Sequence, residues 1–587
     1  MKRKTKVVLV YPPGEQKISE PIPPPNMTIA TLACALKEAG YGVLQVDAEK
    51  DWFDGLRAEL TERQLELVYD QSLLIPYVNG KAPRRTAAEY DALGALLLER
   101  LGIREAGLLG VTLVDMRAEP LIIGFTALLC HAARERLGAR TVIGYRGVPP
   151  AAYAYLMRRY PCFDYGVYAA WGEMALLEIL KETEGAGAEL IGTVARRGAR
   201  LKDYPALRRR PHAPRQAYDR RILKKYTAGD RQVLASYDSD YPFARELAAG
   251  GKRHLVVPYA FELTCPGACA FCENDNRLPS DRKSVDQVID ELSALKEQGV
   301  TGIYFVNSSF NNSYKFADEL CGRMIRHRLD LKWFDCANLR VLDERLLTRM
   351  RDAGAIKLTY GVESGSQRLL DLVNKGITVE RARKYLELSD RLGIWNHIEL
   401  IAGFPSETRA DVDATLAFMD TIRSHVDLYT LNPFYLYPNS RIFREQARFG
   451  VRVLPYPEMK KMNFFYPVNR IVEQYSMKFE ERGGRGWEQK DRQIVESTKA
   501  IAAKIDSIAT YRAIGNEHVY LLNSLYRRFG PRRKPLIRKL VHVLTRRFKP
   551  YNLDFFMDDF RNSFSKEQDP RIFLPLKGTK FLGKPAR

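Results

Sequence analysis

The 587-residue sequence predicts an α/β protein in three successive parts: an N-terminal doubly wound, Rossmann-type domain, a central (β/α)6 partial TIM barrel, and a helical C-terminal region. Three observations predict it. Apolar strand segments alternate with amphipathic helical segments in two separate runs, a basic Pro-rich stretch divides the runs, and strand signals stop near Met477. A single hydrophobic core stops growing at about 250–300 residues, so the length itself asks for more than one domain.

The first run spans residues 1–200. Val7 to Val10 reads as a buried strand, TIATLACALKEAG as a helix closed by Gly40, and GVLQVD as a strand ending at Asp47. Further on, GLLGVTLVD, IIGFTALLCHAARERLG stopped by Gly138, and ARTVIG repeat the strand, helix, strand order, which implies a parallel sheet. The opening MKRKTKVVLVYPP superficially resembles a secretory leader, but its apolar run is short and ends in Pro12-Pro13, so a first strand is expected. No stretch reaches the roughly 18–20 apolar residues of a spanning helix, and a cytoplasmic location is expected.

Residues 201–251, continuing the Arg- and Pro-rich RRGARLKDYPALRRRPHAPRQAYDRR, lack hydrophobic periodicity and read as a linker. Residues 252–476 resume the alternation, with strands at HLVVPYAFEL, GIYFV, LKWFDC, IKLTYG, HIELIAG and DLYTLNPF. The helix VDQVIDELSALKEQG carries a capping box of Ser284 and Gln287. Six such strands fit a partial barrel, although period alone does not separate it from an open sheet. Residues 477–587 are read as a basic helical domain, in which PLIRKLVHVLTRRF lines up Leu536, Ile537, Leu540, Val541, Leu544 and Phe548 on one face.

Ninety-two basic against 71 acidic residues leave a formal charge of +21. Between Arg527 and Lys549 lie ten Lys or Arg and no acid, about half of that excess. An ordinary solvated face, contact with a membrane surface, and recruitment of an anionic substrate are the three readings of this stretch. It lacks the interleaved aromatics that stack on bases, which argues against nucleic acid.

Eight cysteines do not make a disulfide scaffold here, because three of them fall in ELTCPGACAFCEN while Cys34, Cys130, Cys162, Cys321 and Cys336 are scattered as small hydrophobes. Cys265, Cys269 and Cys272 form a C-x3-C-x2-C array directly after a predicted strand. Three thiolates on an iron–sulfur cubane leave one iron open. Closed structural zinc needs four ligands, and the nearest histidine, His254, lies on the wrong side of the strand.

These residues resemble the radical S-adenosylmethionine (SAM) superfamily over about Lys252 to Arg470. The resemblance implies a 4Fe-4S cluster on Cys265, Cys269 and Cys272 whose open iron is chelated by SAM, which is then cleaved to a 5′-deoxyadenosyl radical. It places Phe271 near the adenine. It makes GVESGS a ribose-contacting segment with Glu363 and Ser364 as polar contacts, with capping of the next helix as the alternative role for Glu363. It sets Gly403 and Pro405 of IAGFPSET under the adenine. The position that binds the SAM amino group carries VNSSFNN, with Asn307, Ser308 and Ser309 in place of the usual Gly- or acid-rich segment. An electron donor such as flavodoxin or ferredoxin is implied as a partner.

The first domain resembles the cobalamin-binding domain that precedes the barrel in one radical SAM subclass. VYPPG, PPNMTIATLACALKEAGYGVLQVDAE and YPCFDYGVYAAWGEMALLEIL carry the match. Tyr11, Pro12, Gly144, Gly172 and Glu173 are the cobalamin contacts it implies. No D-x-H-x-x-G motif is present, His131 and His212 lack that context, and a domain that keeps the fold without cobalamin stays open. The expectation is a cobalamin-dependent radical SAM methyltransferase acting on an unactivated carbon of a metabolite, natural product or peptide. A radical rearrangement or cyclisation enzyme, and a non-catalytic scaffold with a degenerate barrel, are the alternatives. The intact cysteine triplet argues against the scaffold.

Overall fold

The structure, a computed structural model, describes residues 4–14, 22–113, 120–144, 150–169, 172–205, 215–237, 251–262, 265–272, 282–437, 440–454, 465–466, 470–471, 478–508 and 518–545. The first domain is built on a seven-stranded sheet. Its opening strands are β1 (Val7–Tyr11), β2 (Val43–Asp47), β3 (Leu108–Thr112), β4 (Arg140–Gly144) and β5 (Tyr165–Val167), and neighbours among them pair in parallel. Their sheet order is β2-β1-β3-β4-β5. The chain steps to one side of β1 and then returns to the other, which opens a crevice between β1 and β3 at the carboxyl edge. Helix α1 (Met27–Glu38), capped by the Asn26 side chain, and α2 (Pro120–Leu137) are the two helices expected from the sequence.

Two findings depart from the expectation. Strands β6 (Thr193–Arg197) and β7 (Arg200–Tyr204) extend the sheet in antiparallel pairing, turned by Gly198 at φ 59°. The sheet therefore continues to Tyr204, into the stretch read as a linker. That stretch also holds helix α3 (Arg220–Tyr226) and a buried strap. Gln216 and Tyr218 are buried between the domains. The Gln45 amide donates to Ala217 O (2.9 Å) in the first domain's favour, while Tyr218 Oη donates to Pro258 O (2.6 Å) and Gln216 Oε1 accepts from Ala260 N (3.0 Å) on the barrel side. Those polar side chains alternate with chain that touches both domains, which is why no helical or strand period was visible.

The barrel strands are β8 (Val256–Tyr259), β9 (Gly302–Phe305), β10 (Lys332–Cys336), β11 (Ala355–Glu363), β12 (Trp395–Ala402) and β13 (Leu428–Pro433). They are hydrogen-bonded in sequence order and all in parallel. Inward residues at their amino-terminal ends, Val256, Phe334, Ile356, Trp395 and Leu428, converge on one apolar cluster, so the sheet curls. The helix after β8 starts at Ser284, whose side chain accepts from Gln287 N (3.1 Å). Half of the expected capping box is absent, because the Gln287 amide turns forward to Glu291 (2.9 Å).

The C-terminal part is not a separate unit. A short strand pair, β14 (Val451–Val453) with β15 (Phe479–Glu481), leads to α4 (Trp487–Ile508), α5 (Val519–Phe529) and α6 (Lys534–Thr545). Helix α5 closes the amino-terminal end of the barrel, where Tyr520 Oη donates to Tyr226 O (2.7 Å) and Tyr526 Oη to Gly393 O (2.9 Å). In α6 the expected face is buried through Ile537, Leu540, Val541 and Leu544, while Phe548, Arg546 and Arg547 lie outside the described residues. Part of its charge turns inward. Lys534 bridges Asp390 (2.6 Å) and Asp427 (2.8 Å), and Arg538 reaches both acids at 3.0 and 2.6 Å. The described part of the basic stretch, Arg527 to Thr545, thus lies at the end of the barrel opposite the cysteine loop. Among the described residues no helix is long and apolar enough to cross a membrane.

Candidate active site

Ligand sites of parallel barrels form at the carboxyl ends of the strands, because the connecting loops there are free of the strand ladder. Every barrel motif singled out in the sequence lies at that end. Cys265, Cys269 and Cys272 are partly exposed on the loop after β8, and none of the eight cysteines forms a disulfide. Gly267 N donates to Cys265 Sγ (3.3 Å), and Ala270 N to Val373 O (2.8 Å), while Asn374 Nδ2 donates to Ala268 O (3.0 Å). The loop is therefore docked onto the chain that follows GVESGS.

Two cations stand beside the thiols. Burial pushes the Cys269 thiol up, and Lys375 and Arg340 act against that shift. Arg340 is threaded between glycines, since an added Cβ on Gly267 would lie 2.8 Å from its guanidinium and one on Gly376 2.6 Å from its Cδ. Neither cation was found from the sequence. Three thiolates on one loop are soft donors, and a cubane takes them on three different irons. The donor set fits an iron–sulfur cluster.

Glu363 ends β11 with φ 70°, a conformation that turns its side chain toward the cysteine loop. Lys375 Nζ is 2.6 Å from Glu363 Oε1. Burial opposes the charge on Lys375, but that carboxylate holds its pKa above the ordinary lysine value. Glu363 caps no helix, because the next one (Gln367–Leu372) is capped by the Ser366 side chain. The Ser364 hydroxyl is buried against Thr415 Oγ1 (3.1 Å) and accepts from Ser366 N (3.1 Å), which holds the turn in shape. Asp411 fastens the same turn. Although burial opposes its charge, hydrogen bonds from Arg368, Ser366 and Thr408 hold its carboxyl far below the usual range.

Asn307 Oδ1 accepts from Phe261 N (2.9 Å) and Glu262 N (3.1 Å), and its Nδ2 donates to Asp335 Oδ2 (2.7 Å). These bonds brace the end of β8, which leads into the cysteine loop. Asp335 itself is fully enclosed, and burial pushes its carboxyl up to about 8.

Phe271 and Phe404 meet with ring centroids 5.6 Å apart, and Phe404 lies 5.5 Å from Phe434. The cysteine loop and the GFPSET loop thus share one apolar wall. Within it Gly403 has φ 90°, Pro405 is buried, and Ser406 has φ 59°. In the first domain Tyr11 and Pro12 end β1 at the crevice, Gly144 ends β4, and Gly172 with buried Glu173 opens the helix after β5. The structure brings all five to one edge. Among the described residues, an added Cβ on Gly14 would meet nothing nearer than Glu49 at 3.8 Å. His131 packs on Tyr77 with centroids 4.6 Å apart and burial lowers its pKa, while His212 lies outside the described residues.

Fold and cysteine loop together define a barrel enzyme built around a three-thiolate cluster, and comparison with known proteins agrees. Residues 263–419 match the Radical SAM superfamily, a family that implies a 4Fe-4S cluster and SAM. An uncharacterized methyltransferase of Pyrococcus horikoshii is 28% identical over 293 residues, 49% of this chain and 59% of that protein. The anaerobic magnesium-protoporphyrin IX monomethyl ester cyclase of Rubrivivax gelatinosus is 28% identical over 37% of this chain and 38% of its own length. The chain therefore spans about three fifths or less of these relatives. Among solved structures, the radical SAM methyltransferase TsrM from Kitasatospora setae, with tryptophan substrate and a SAM analogue bound, aligns with a TM-score of 0.56 at 18% identity, covering 91% of this chain and 99% of that one. The cobalamin-dependent SAM radical enzyme OxsB, with aqua-cobalamin and SAM bound, aligns at 0.55 and 14% identity over 95% and 75%. These likenesses establish the shared fold: a Rossmann-like sheet, a six-stranded parallel barrel and a helical end.

Proposed function

We propose that this chain is a cobalamin-dependent radical SAM methyltransferase that methylates an unactivated carbon of a small-molecule or peptide substrate. One observation carries the reading: a doubly wound sheet with Tyr11, Pro12, Gly144, Gly172 and Glu173 along its carboxyl edge is strapped by Gln216 and Tyr218 to the barrel bearing the cysteine loop. Cobalamin, when bound at that edge, supplies a transferable methyl group. The residues of this chain bind and exclude. Cys265, Cys269 and Cys272 hold the cluster, Phe271 and Phe404 offer an apolar face to adenine, and Lys375 with Glu363 sets a charge pair beside it. The barrel's floor is apolar, closed by Trp395, Phe334 and Tyr520, which would keep water from entering the lumen at that end. An electron donor of the flavodoxin or ferredoxin kind fits this chemistry.

The experiment is anaerobic purification with cobalamin supplied, followed by the visible spectrum, iron analysis and methyl transfer from labelled SAM. A corrin band at about one equivalent with SAM-derived label in the product supports the reading. Protein that cleaves SAM but retains no corrin overturns it and favours radical cyclisation, a second reading supported by the 28% identity to the porphyrin ester cyclase.

A further inference from the structure

Helix α4 belongs to the C-terminal part, yet it reaches back to the loop that follows β12. Lys490 is wholly buried at the start of that helix. Its ammonium donates to Phe404 O (2.6 Å) and Gln493 Oε1 (2.6 Å), and stands 2.8 Å from Glu481 Oε1. Three donors meet three acceptors, so the ammonium is saturated. The acceptors hold the loop from several sides. Glu481 accepts from Ser406 N (2.9 Å), and Gln493 Nε2 donates to Glu407 Oε1 (2.8 Å). Glu407 in turn accepts Gly403 N on both oxygens at 3.0 Å. Ile494, one turn beyond Lys490, fills the space that any side chain at Gly403 would need: an added Cβ would lie 2.5 Å from its Cγ1.

This clamp acts on a loop under backbone strain. Ser406, a non-glycine residue, is held at φ 59°, a left-handed conformation that persists only when surrounding contacts fix it. Within the loop Glu407 N donates to Phe404 O (3.0 Å), and Arg368 donates to Ser406 O (2.8 Å) from one side, while Glu481, Lys490 and Gln493 hold the loop from the C-terminal part. The opposite face of the loop carries Phe404 against Phe271 of the cysteine loop.

We infer that Lys490, with Glu481 and Gln493, is a positioning residue for SAM: the C-terminal helix holds the Gly403–Glu407 loop in the shape that receives the adenosyl group. This rests on the reading of that loop as the adenine floor. Without the ammonium, Phe404 O and Glu481 lose a buried partner and the loop relaxes, so binding SAM must also order it. The C-terminal part is then a component of the cofactor site, not an appendage that delivers substrate.

The test uses the full-length, anaerobically purified protein with its cluster oxidised, so that SAM binds without being cleaved. SAM dissociation constants come from equilibrium dialysis, beside the iron content and melting temperature of each variant. Lys490→Met should weaken SAM binding by about tenfold or more, about 1.4 kcal/mol, with iron content unchanged. Lys490→Arg should recover most of the affinity, and Glu481→Gln, which keeps an acceptor but loses the charge, should fall between the two. Lys534→Met removes a buried ammonium of the same C-terminal part at the far end of the barrel, and should lower the melting temperature without changing SAM affinity. Wild-type affinity in Lys490→Met, or equal losses in Lys490→Met and Lys534→Met, overturns the inference while leaving the SAM site intact. Should Lys490→Met fail to fold, wild-type affinity in Glu481→Gln overturns it instead. Failure of the wild-type protein to bind SAM overturns the adenine-floor reading and the inference with it.

Discussion

Replacing Lys375 by methionine isolates the charge pair beside the cluster. The Lys375 and Glu363 side chains keep only 17% and 7% of their exposure, and their charged atoms are 2.6 Å apart. Removing one partner of a buried pair strands the other charge, which costs about 3–5 kcal/mol. The pair here is not fully enclosed, so about 3 kcal/mol, the lower end, is expected for Lys375→Met. The double variant Glu363→Gln/Lys375→Met should recover most of that loss, since a neutral amide needs no counter-charge, giving a coupling of about 1.5–3 kcal/mol. Urea unfolding of cluster-free protein measures it, with fluorescence of Trp333 and Trp395, both fully buried on barrel strands, as the signal. A loss under about 0.5 kcal/mol for the single variant, or simple additivity in the double variant, would refute a buried, mutually dependent pair.

Other consequences are equally direct. Asp335, with its carboxyl pushed up to about 8 by burial against an ordinary 3.8, binds its proton more tightly in the folded chain. Its contribution to stability is therefore full below pH about 4 and is lost as pH rises toward 8; Asp335→Asn should flatten that fall in a melting-temperature series, and an unchanged slope would count against it. Cys265→Ala, Cys269→Ala and Cys272→Ala should each remove most bound iron in anaerobic reconstitution, while Cys321→Ala, at a buried site on a barrel helix, should bind iron like the wild type. Gly365→Ala would put a Cβ 2.7 Å from both Thr415 Cα and Phe418 Cβ, where backbone must move, so a loss of about 1–3 kcal/mol is expected in thermal unfolding.

Local regularities carried much of the architecture. Six barrel strands, the first-domain strands through β4 and the helices α1 and α2 each follow from apolar period and a closing glycine, because those signals are written within ten to twenty consecutive residues. The cysteine array was legible for the same reason. Residues that act on the site from a distance were not. Lys375 and Arg340 sit in loops whose sequence has no period, and only the folded chain brings them to the thiols. Lys490 did leave a trace, since it shares a helical face with Ile494, Ser497 and Ile501 and so falls on the buried side of α4. A lysine on an apolar face asks for a partner, and that signal was available.

By itself, then, the sequence determined the class of chemistry: three thiolates at fixed spacing after a strand leave one iron of a cubane open, whatever surrounds them. It also gave the succession of strands and helices along the two sheets, since each element carries its own apolar period. Tertiary structure alone decided how Asn307 and Ser364 are used, because a polar side chain meets whichever backbone or hydroxyl group the fold presents first. The same holds for the C-terminal helices. Their composition suggested a charged surface, yet Lys490, Lys534 and Arg538 turn inward against carboxylates brought from distant parts of the chain, where ion pairs and hydrogen bonds offset the loss of water.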